Sequence, residues 1–364
     1  MPVNGLRLME TDKRPIANHA DALLHPGRDH HAIMRSMRMK AIVTLSASCF
    51  MVCGVMAGHM AARAATPQTP TAQNQPPQPP PQEAIAADIP GVIKGGTKIT
   101  LVRGGFKGTE GVIAMPDGSV LFTEQDADRI IRIDTQGQIS TYLEHTNRTI
   151  GLGYDHKGRL IAAQSREPRI ATLAPTTAIL ADTFEGQPLV RPNDLVIDRK
   201  NGIYFTDAIP NPQVAFRPPP PNRTPLLFYI TPQGTLMKAS GDLENVNGVQ
   251  LSPDEKTLYA TNGGTIMAFD VRPDGSLINR RVFAMSGGDG LAVDNAGRLY
   301  SAVAAAVGIR VFSPGGDLLG TIPAGVPPQS VGFAGRDKRT LFIVGRGAVY
   351  KTQMIAEGIR SRAK

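Results

Sequence analysis

Six times along the chain, at one phase, an apolar strand phrase is followed by a short polar turn and a second apolar phrase. The copies are GVIAMPDGSVLFTE (111–124), GLGYDHKGRLIAAQ (151–164), DLVIDRKNGIYFTD (194–207), GVQLSPDEKTLYAT (248–261), GLAVDNAGRLYSAV (290–303) and SVGFAGRDKRTLFIV (330–344). Most are followed by a second hairpin, such as RIIRIDTQGQISTYL (129–143) or IMAFDVRPDGSLINRRVF (266–283). Short Val, Ile, Leu, Phe and Tyr strands alternate with Asp-Gly-type turns, and no long 3.6-residue apolar period appears. Repeats of this length, with four strands each, predict an all-β chain folded as a six-bladed β-propeller. A β-sandwich is the alternative architecture, but it gives no reason for six in-phase copies. The last copy is short, because little chain remains after GAVYKTQM (347–354) for a fourth strand. The phrase TKITLV (97–102) can fill that gap. The ring would then close by pairing its N- and C-terminal strands, which removes an exposed sheet edge. The propeller is expected over residues 97–356, with a C-terminal tail at 357–364.

The chain has 364 residues, and its first quarter is of another kind. Residues 40–62 form an apolar run behind Arg35, Arg38 and Lys40, and Ala62-Arg63-Ala64 follows as a small-residue cleavage site. Basic, apolar and small-residue regions in that order read as a signal peptide over 34–64, cut near Ala64-Ala65. The expected location is periplasmic or secreted. The alternative is an uncleaved anchor, since about 20 apolar residues can span a bilayer. Any membrane contact would run through this segment alone. Residues 1–33 precede any plausible signal, and Met34, Met37 and Met39 are all candidate starts. Residues 65–96, rich in Pro and Gln at their start, read as a disordered tether.

Both cysteines, Cys49 and Cys53, lie in the apolar run, so the processed chain would have no thiol ligand or disulfide. Only His145 and His156 lie beyond it, which excludes a three-histidine zinc site and disfavours a Ser-His-Asp triad. The formal charge is +8, from 39 Lys and Arg against 31 Asp and Glu. Residues 1–64 hold 8 of the basic and 4 of the acidic residues, leaving 31 against 27, a net charge of +4. No basic run suggests nucleic acid, and nothing indicates an obligate protein partner. The third repeat carries an insert, IPNPQVAFRPPPPNRTP (209–225), too Pro-rich for a central strand. It reads as a stiff loop over one mouth of the propeller, serving as a lid or as plain surface.

The residue before each inner strand is, in order, Glu110, Ile150, Asn193, Asn247, Asp289 and Gln329. Residues at one phase of a propeller repeat converge on the central channel. Glu110, Asn193, Asn247 and Asp289 are hard oxygen donors. Meeting at one point they would repel or stay unsatisfied without a cation. All-oxygen ligation favours one divalent cation, Ca²⁺ first, with Mg²⁺ or Mn²⁺ as alternatives. Asn247-Gly248 or Asp289-Gly290 taken alone is ordinary turn chemistry. Turn chemistry does not, however, require an acid or amide at the same phase of four repeats.

The pattern Glu110-Gly111, Arg191-Pro192-Asn193-Asp194, NGVQLSPD (247–254) and Asp289-Gly290 resembles the SMP-30/gluconolactonase family over nearly all of residues 100–352. RPNDLVIDRKNGIYFTD (191–207) and NGVQLSPDEKTLYAT (247–261) are especially similar to its bacterial gluconolactonases. The resemblance implies a six-bladed propeller holding one divalent ion, usually Ca²⁺ or Zn²⁺, through Glu110, Asn193, Asn247 and Asp289. It implies substrate binding by Arg191, beside Asn193, and proton transfer by Asp289. The implied substrate is a small lactone, an aldonolactone such as gluconolactone, or a related ester. Differences fall in the pocket wall. Glu110-Gly111 is followed by Val112 instead of Pro, Ile150 stands where Asn is usual, and Ala208-Ile209-Pro210-Asn211 follows FTD.

The chemistry expected of such a site is metal-dependent. A cation would polarise the carbonyl and acidify a water, Asp289 would pass the proton, and Arg191 would bind hydroxyl or oxyanion groups. Asp194 is expected on the opposite side of the strand from Asn193. Asp207 and Asn262 read as turn residues. The competing readings are a non-enzymatic scaffold or binding module with a structural ion, and an arylesterase or phosphotriesterase-like hydrolase on the same metal site.

Overall fold

The computed structural model describes residues 82–209, 224–241 and 243–364. The expected leader, signal peptide and most of the 65–96 tether lie outside these residues, as does nearly all of the 209–225 insert. The described chain is built of short antiparallel strands arranged as six blades around an axis. Blades 1 to 5 each take four consecutive strands. Their inner strands are Thr109–Ala114, Thr149–Tyr154, Pro192–Ile197, Val246–Leu251 and Leu291–Val293.

Blade 6 is the composite that the short last repeat demands. Ser330–Ala334 pairs with Thr340–Gly345, which pairs with Ala348–Gln353, and that strand pairs with Lys98–Arg103 from the other end of the propeller. Beyond the closing strand lies a further short one, Ala84–Ile85, which pairs with it. Here the expectation of a tether running to residue 96 needs correction. Ile89, Val92 and Ile93 are buried, and Ile89 and Ile93 form a bridge to each other. These three apolar side chains give the segment something to bury, which the Pro/Gln-rich stretch before it lacks.

The turns follow from aspartate chemistry. In several hairpins one Asp carboxylate oxygen accepts two main-chain N–H groups from the turn it opens. Asp155 takes those of Lys157 and Arg159, Asp198 those of Lys200 and Gly202, and Asp294 those of Ala296 and Arg298. A short side-chain acceptor satisfies turn amides that no strand partner reaches, so Asp recurs at one phase of the repeat.

The core lies between blades, with a cluster of buried apolar side chains at each of the six junctions. Tyr204 and Tyr229 of blade 3 pack with Val249 and Phe269 of blade 4, and Ile113 and Leu121 of blade 1 pack with Leu152 and Leu160 of blade 2. A blade buries its faces only against its neighbours, so closing the ring completes the core.

Residues 354–364 run across the carboxyl ends of the inner strands instead of trailing away. The Asn295 N–H donates to the Glu357 carbonyl, the Ala114 N–H donates to the Ala363 carbonyl at 2.9 Å, and Arg362 Nη2 donates to the Leu251 carbonyl at 2.9 Å. The segment thus touches blades 5, 1 and 4, and Lys364 reaches blade 3, where its ammonium pairs with Asp194. One mouth of the propeller is crossed by this segment. The other is framed by the amino ends of the inner strands.

Candidate active site at the axial mouth

The six in-phase positions sit at those amino ends. In blades 1 to 4 the residue is the second of its strand instead of the one before it, because pairing extends past a β-bulge. The register shifts between Glu110 and Ile113, Thr149 and Leu152, Pro192 and Leu195, and Val246 and Val249. A bulge adds a residue to one strand and re-aims the side chains around it. Asn193 and Asp194 are both buried, and the Asp194 charge acts on both Glu110 and Asp289.

Contacts between neighbouring blades carry the ring through all six junctions, through the hydroxyls of Thr206 and Ser330 at two of them. A methyl added to Gly111 would lie 2.1 Å from the Ile150 carbonyl oxygen, and one added to Gly248 would lie 2.2 Å from that of Asp289. These glycines are therefore not turn residues. They let one inner strand rest on the main chain of the next, and Gly111 also has a φ of +55°. Gly151 meets the Asn193 carbonyl in the same way. Thr206 Oγ1 donates to the Asn247 carbonyl at 2.6 Å, the Gly290 N–H donates to the Gln329 carbonyl at 2.8 Å, and the Val112 N–H donates to Ser330 Oγ at 3.4 Å.

Within the ring, Gln329 Nε2 donates to Glu110 Oε1 at 2.8 Å, and its own Oε1 accepts the Arg346 N–H at 2.9 Å. Gln329 thus fixes the Glu110 carboxylate, a role its sequence position allowed but did not reveal. The Asn247 side chain donates to Asp289. Among the described residues Asn247 Oδ1 is buried with no hydrogen-bond partner, and Asn193 is buried beside it in the repeat phase. Burial, and then the charge of Asp289, raise Glu110 well above the usual carboxylate range. Burial pushes Asp289 up to about 7, against the pull of Arg191 and with a further push from Asp194. Burial also lowers Arg191, while Glu110 and Asp289 act to raise it. These effects place Glu110, Asp289 and the Arg191 guanidinium in one electrostatic cluster.

Asp207 is the buried anchor of the Arg191 segment. Its Oδ1 accepts the Val190 N–H at 3.0 Å and the Arg191 N–H at 2.7 Å. Asn262 does the same in blade 4, accepting the Glu244 and Asn245 N–H groups. Both end the second strand of their blade, as expected, and both tie down the loop that enters the inner strand. His145 and His156 are exposed.

Among the described residues no group of three or more His, Cys, Asp or Glu side chains is placed to hold a metal. An ion here would need the two carboxylates completed by amide oxygens. The donor set fits that need, since Asn247 Oδ1 is an orphaned buried acceptor and both carboxyl groups are raised by burial, Glu110 further by the charge of Asp289 and Asp289 by that of Asp194.

This six-bladed propeller, with acids and amides at one phase of its repeat, is similar in sequence and in fold to proteins named as lactonases. A gluconolactonase from Zymomonas mobilis is 25% identical over 293 residues, covering 68% of this chain and 78% of its own length. A lactonase from Staphylococcus haemolyticus is 26% identical over 258 residues, covering 65% and 75%. The solved structure of a gluconolactonase from Xanthomonas campestris superposes with a TM-score of 0.67 at 27% identity, over 80% of this chain and 99% of that one. The SMP-30/gluconolactonase/LRE-like region matches residues 108–346, and the chain belongs to that family.

Proposed function

We propose that the axial mouth hydrolyses a small lactone, of the aldonolactone class, with the help of one divalent cation. One observation carries this reading. Two buried carboxyl groups, an amide oxygen without a partner and a guanidinium are held together on a main-chain ring, in a family whose named relatives include gluconolactonases and lactonases. Glu110, Asn193, Asn247 and Asp289 would hold the cation, calcium first among the candidates for an all-oxygen set, with Zn²⁺, Mg²⁺ and Mn²⁺ as alternatives. Bound there, it would supply Lewis-acid polarisation of the lactone carbonyl and a more acidic water.

The chain's own residues do the rest. Arg191, with its main chain pinned by Asp207, presents a fork of donors to hydroxyl groups or to the developing oxyanion. Asn193, buried beside it, completes the polar wall. Asp289 takes a proton from the attacking water. As the ring C–O bond breaks, it returns that proton to the leaving oxygen, giving an open hydroxy acid. A cation bound beside Asp289 would favour the ionised carboxylate, the form that accepts the proton.

The test is a panel of lactones assayed with chelator and with calcium, zinc, magnesium or manganese restored. The expected outcome is hydrolysis abolished by chelation and recovered on add-back. Asp289→Ala, still folded, should lose about a hundredfold or more in kcat/KM. Activity indifferent to chelation would overturn the cation, and failure to open any lactone would overturn the substrate class. Export is proposed on the strength of residues 34–64. N-terminal sequencing of exported protein should begin near Ala65.

A further inference from the structure

At the opposite mouth, residues 360–363 and the ends of blades 1, 2 and 6 line an open cavity of 260 Å³ with a strong excess of positive charge. Arg336, Lys338, Arg360 and Arg362 line it, with His156 at its edge. Lys338 is 9% exposed and Arg362 7%. Among the described residues neither forms an ion pair with a carboxylate, although the charge of Glu255 acts on Arg362. Lys338 Nζ donates to the Arg362 carbonyl at 2.8 Å, and Arg362 Nη2 to the carbonyls of Leu251 and Ser252. Arg362 Nη1 is buried with no partner at all. Arg336 is exposed, with no ion pair among the described residues. Of the pairs nearby, Arg360 is held by Glu357, and the one acid of the lining, Asp155, is engaged by Arg159 at 2.7 Å. Burial and the neighbouring Arg362 lower Lys338 to about 8.

Buried cations in folded proteins are paired, because an uncompensated charge out of water is strongly unfavourable. Two lie here side by side, flanking a cavity with room for a small ligand. We infer that this cavity is an anion-binding site for a doubly charged oxyanion of the phosphate class, free or as a small phosphate ester. Guanidinium and ammonium groups contributed to one lining by blade 6 and by the crossing segment suit the several oxygens of a tetrahedral anion better than a planar carboxylate. Because two of the four cations belong to the crossing segment, an anion seated there also fastens that segment to blade 6.

The full-length chain titrated with inorganic phosphate at pH 7 by calorimetry tests the inference, with acetate as the carboxylate control. Saturable phosphate binding is expected, weakened at least about tenfold in Arg336→Ala and in Lys338→Met, with acetate binding much more weakly. Phosphate should also raise the melting temperature of the wild type and not that of Arg336→Ala. Arg336 is a surface residue, so that variant keeps the test valid if Lys338→Met does not fold. Lactone hydrolysis should be unchanged in Arg336→Ala, because the cavity and the axial site lie at opposite mouths. Absence of saturable binding at millimolar phosphate, equal binding in Arg336→Ala and wild type, or acetate binding as tight as phosphate would each overturn the inference.

Discussion

Asn247 separates a metal ligand from a structural amide. Its Oδ1 makes no hydrogen bond, so losing it removes nothing from the metal-free fold beyond the donor to Asp289. Asn247→Ala should therefore change the melting temperature of chelated protein little, while lowering the affinity for added calcium or zinc by about tenfold or more. Calorimetry with each ion and thermal unfolding in chelator check the two halves. Asp289 carries a second prediction. Its carboxyl is raised from 3.8 to about 7, so the folded state holds that proton more tightly than the unfolded chain. The stability linked to the proton is present below about pH 4 and is lost as pH rises to about 7, by at most about 4 kcal/mol. Without divalent metal, the melting temperature of the wild type should fall relative to Asp289→Asn across that window. Calcium should remove the difference, since it favours the ionised carboxylate. That Glu110, Asn193, Asn247 and Asp289 would stand at the amino ends of the inner strands was legible because the repeat sets them at one phase. The meaning of the glycines after them was not. Asn-Gly and Asp-Gly look alike in a tight turn and in a close strand approach, and only the facing carbonyls, that of Asp289 opposite Gly248 and that of Gln329 opposite Gly290, tell the two apart.

At the scale of strands, the closure of blade 6 was readable because the last repeat is one strand short and TKITLV matches the missing piece. Ile99, on that closing strand, is fully buried in the cluster joining blades 5 and 6. Ile99→Ala should destabilise the fold by about 2–5 kcal/mol. Ile85→Ala, on the neighbouring short strand but exposed, should be close to neutral. Thermal or urea unfolding of the pair measures the contrast, and equal effects would contradict the buried closure. Residues 84–96 were misread as tether because composition averages over a window. Ile89, Val92 and Ile93 matter through where they dock, and the partners lie at the far end of the chain. The bulges were equally invisible. A one-residue slip of pairing leaves no mark on a period-two pattern so short.

The whole molecule has two unlike mouths, one lined by the in-phase acids and amides, the other crossed by residues 354–364. Lys364 connects them, its ammonium on Asp194 and on the carbonyls of Val249 and Leu195, while Asp194 also accepts the Val249 N–H at 3.0 Å. Removing one member of a buried pair leaves the other uncompensated. Lys364→Met should lower stability by about 3 kcal/mol, and adding Asp194→Asn to it should restore part of the loss. Thermal unfolding of both variants decides it, and additive losses would show that the pair is not coupled. Nothing in the sequence announced this contact, since 170 positions separate the partners. The glycine-to-carbonyl contacts around the ring have a further consequence. Where blades 1 and 2, 2 and 3, and 4 and 5 meet, the bore of the axial opening is gauged by main chain resting on main chain, not by the in-phase side chains Glu110, Asn193, Asn247 and Asp289. Exchanging those side chains would alter what the opening grips while leaving its calibre as it is, which makes the frame a fixed die into which different chemistries can be cut.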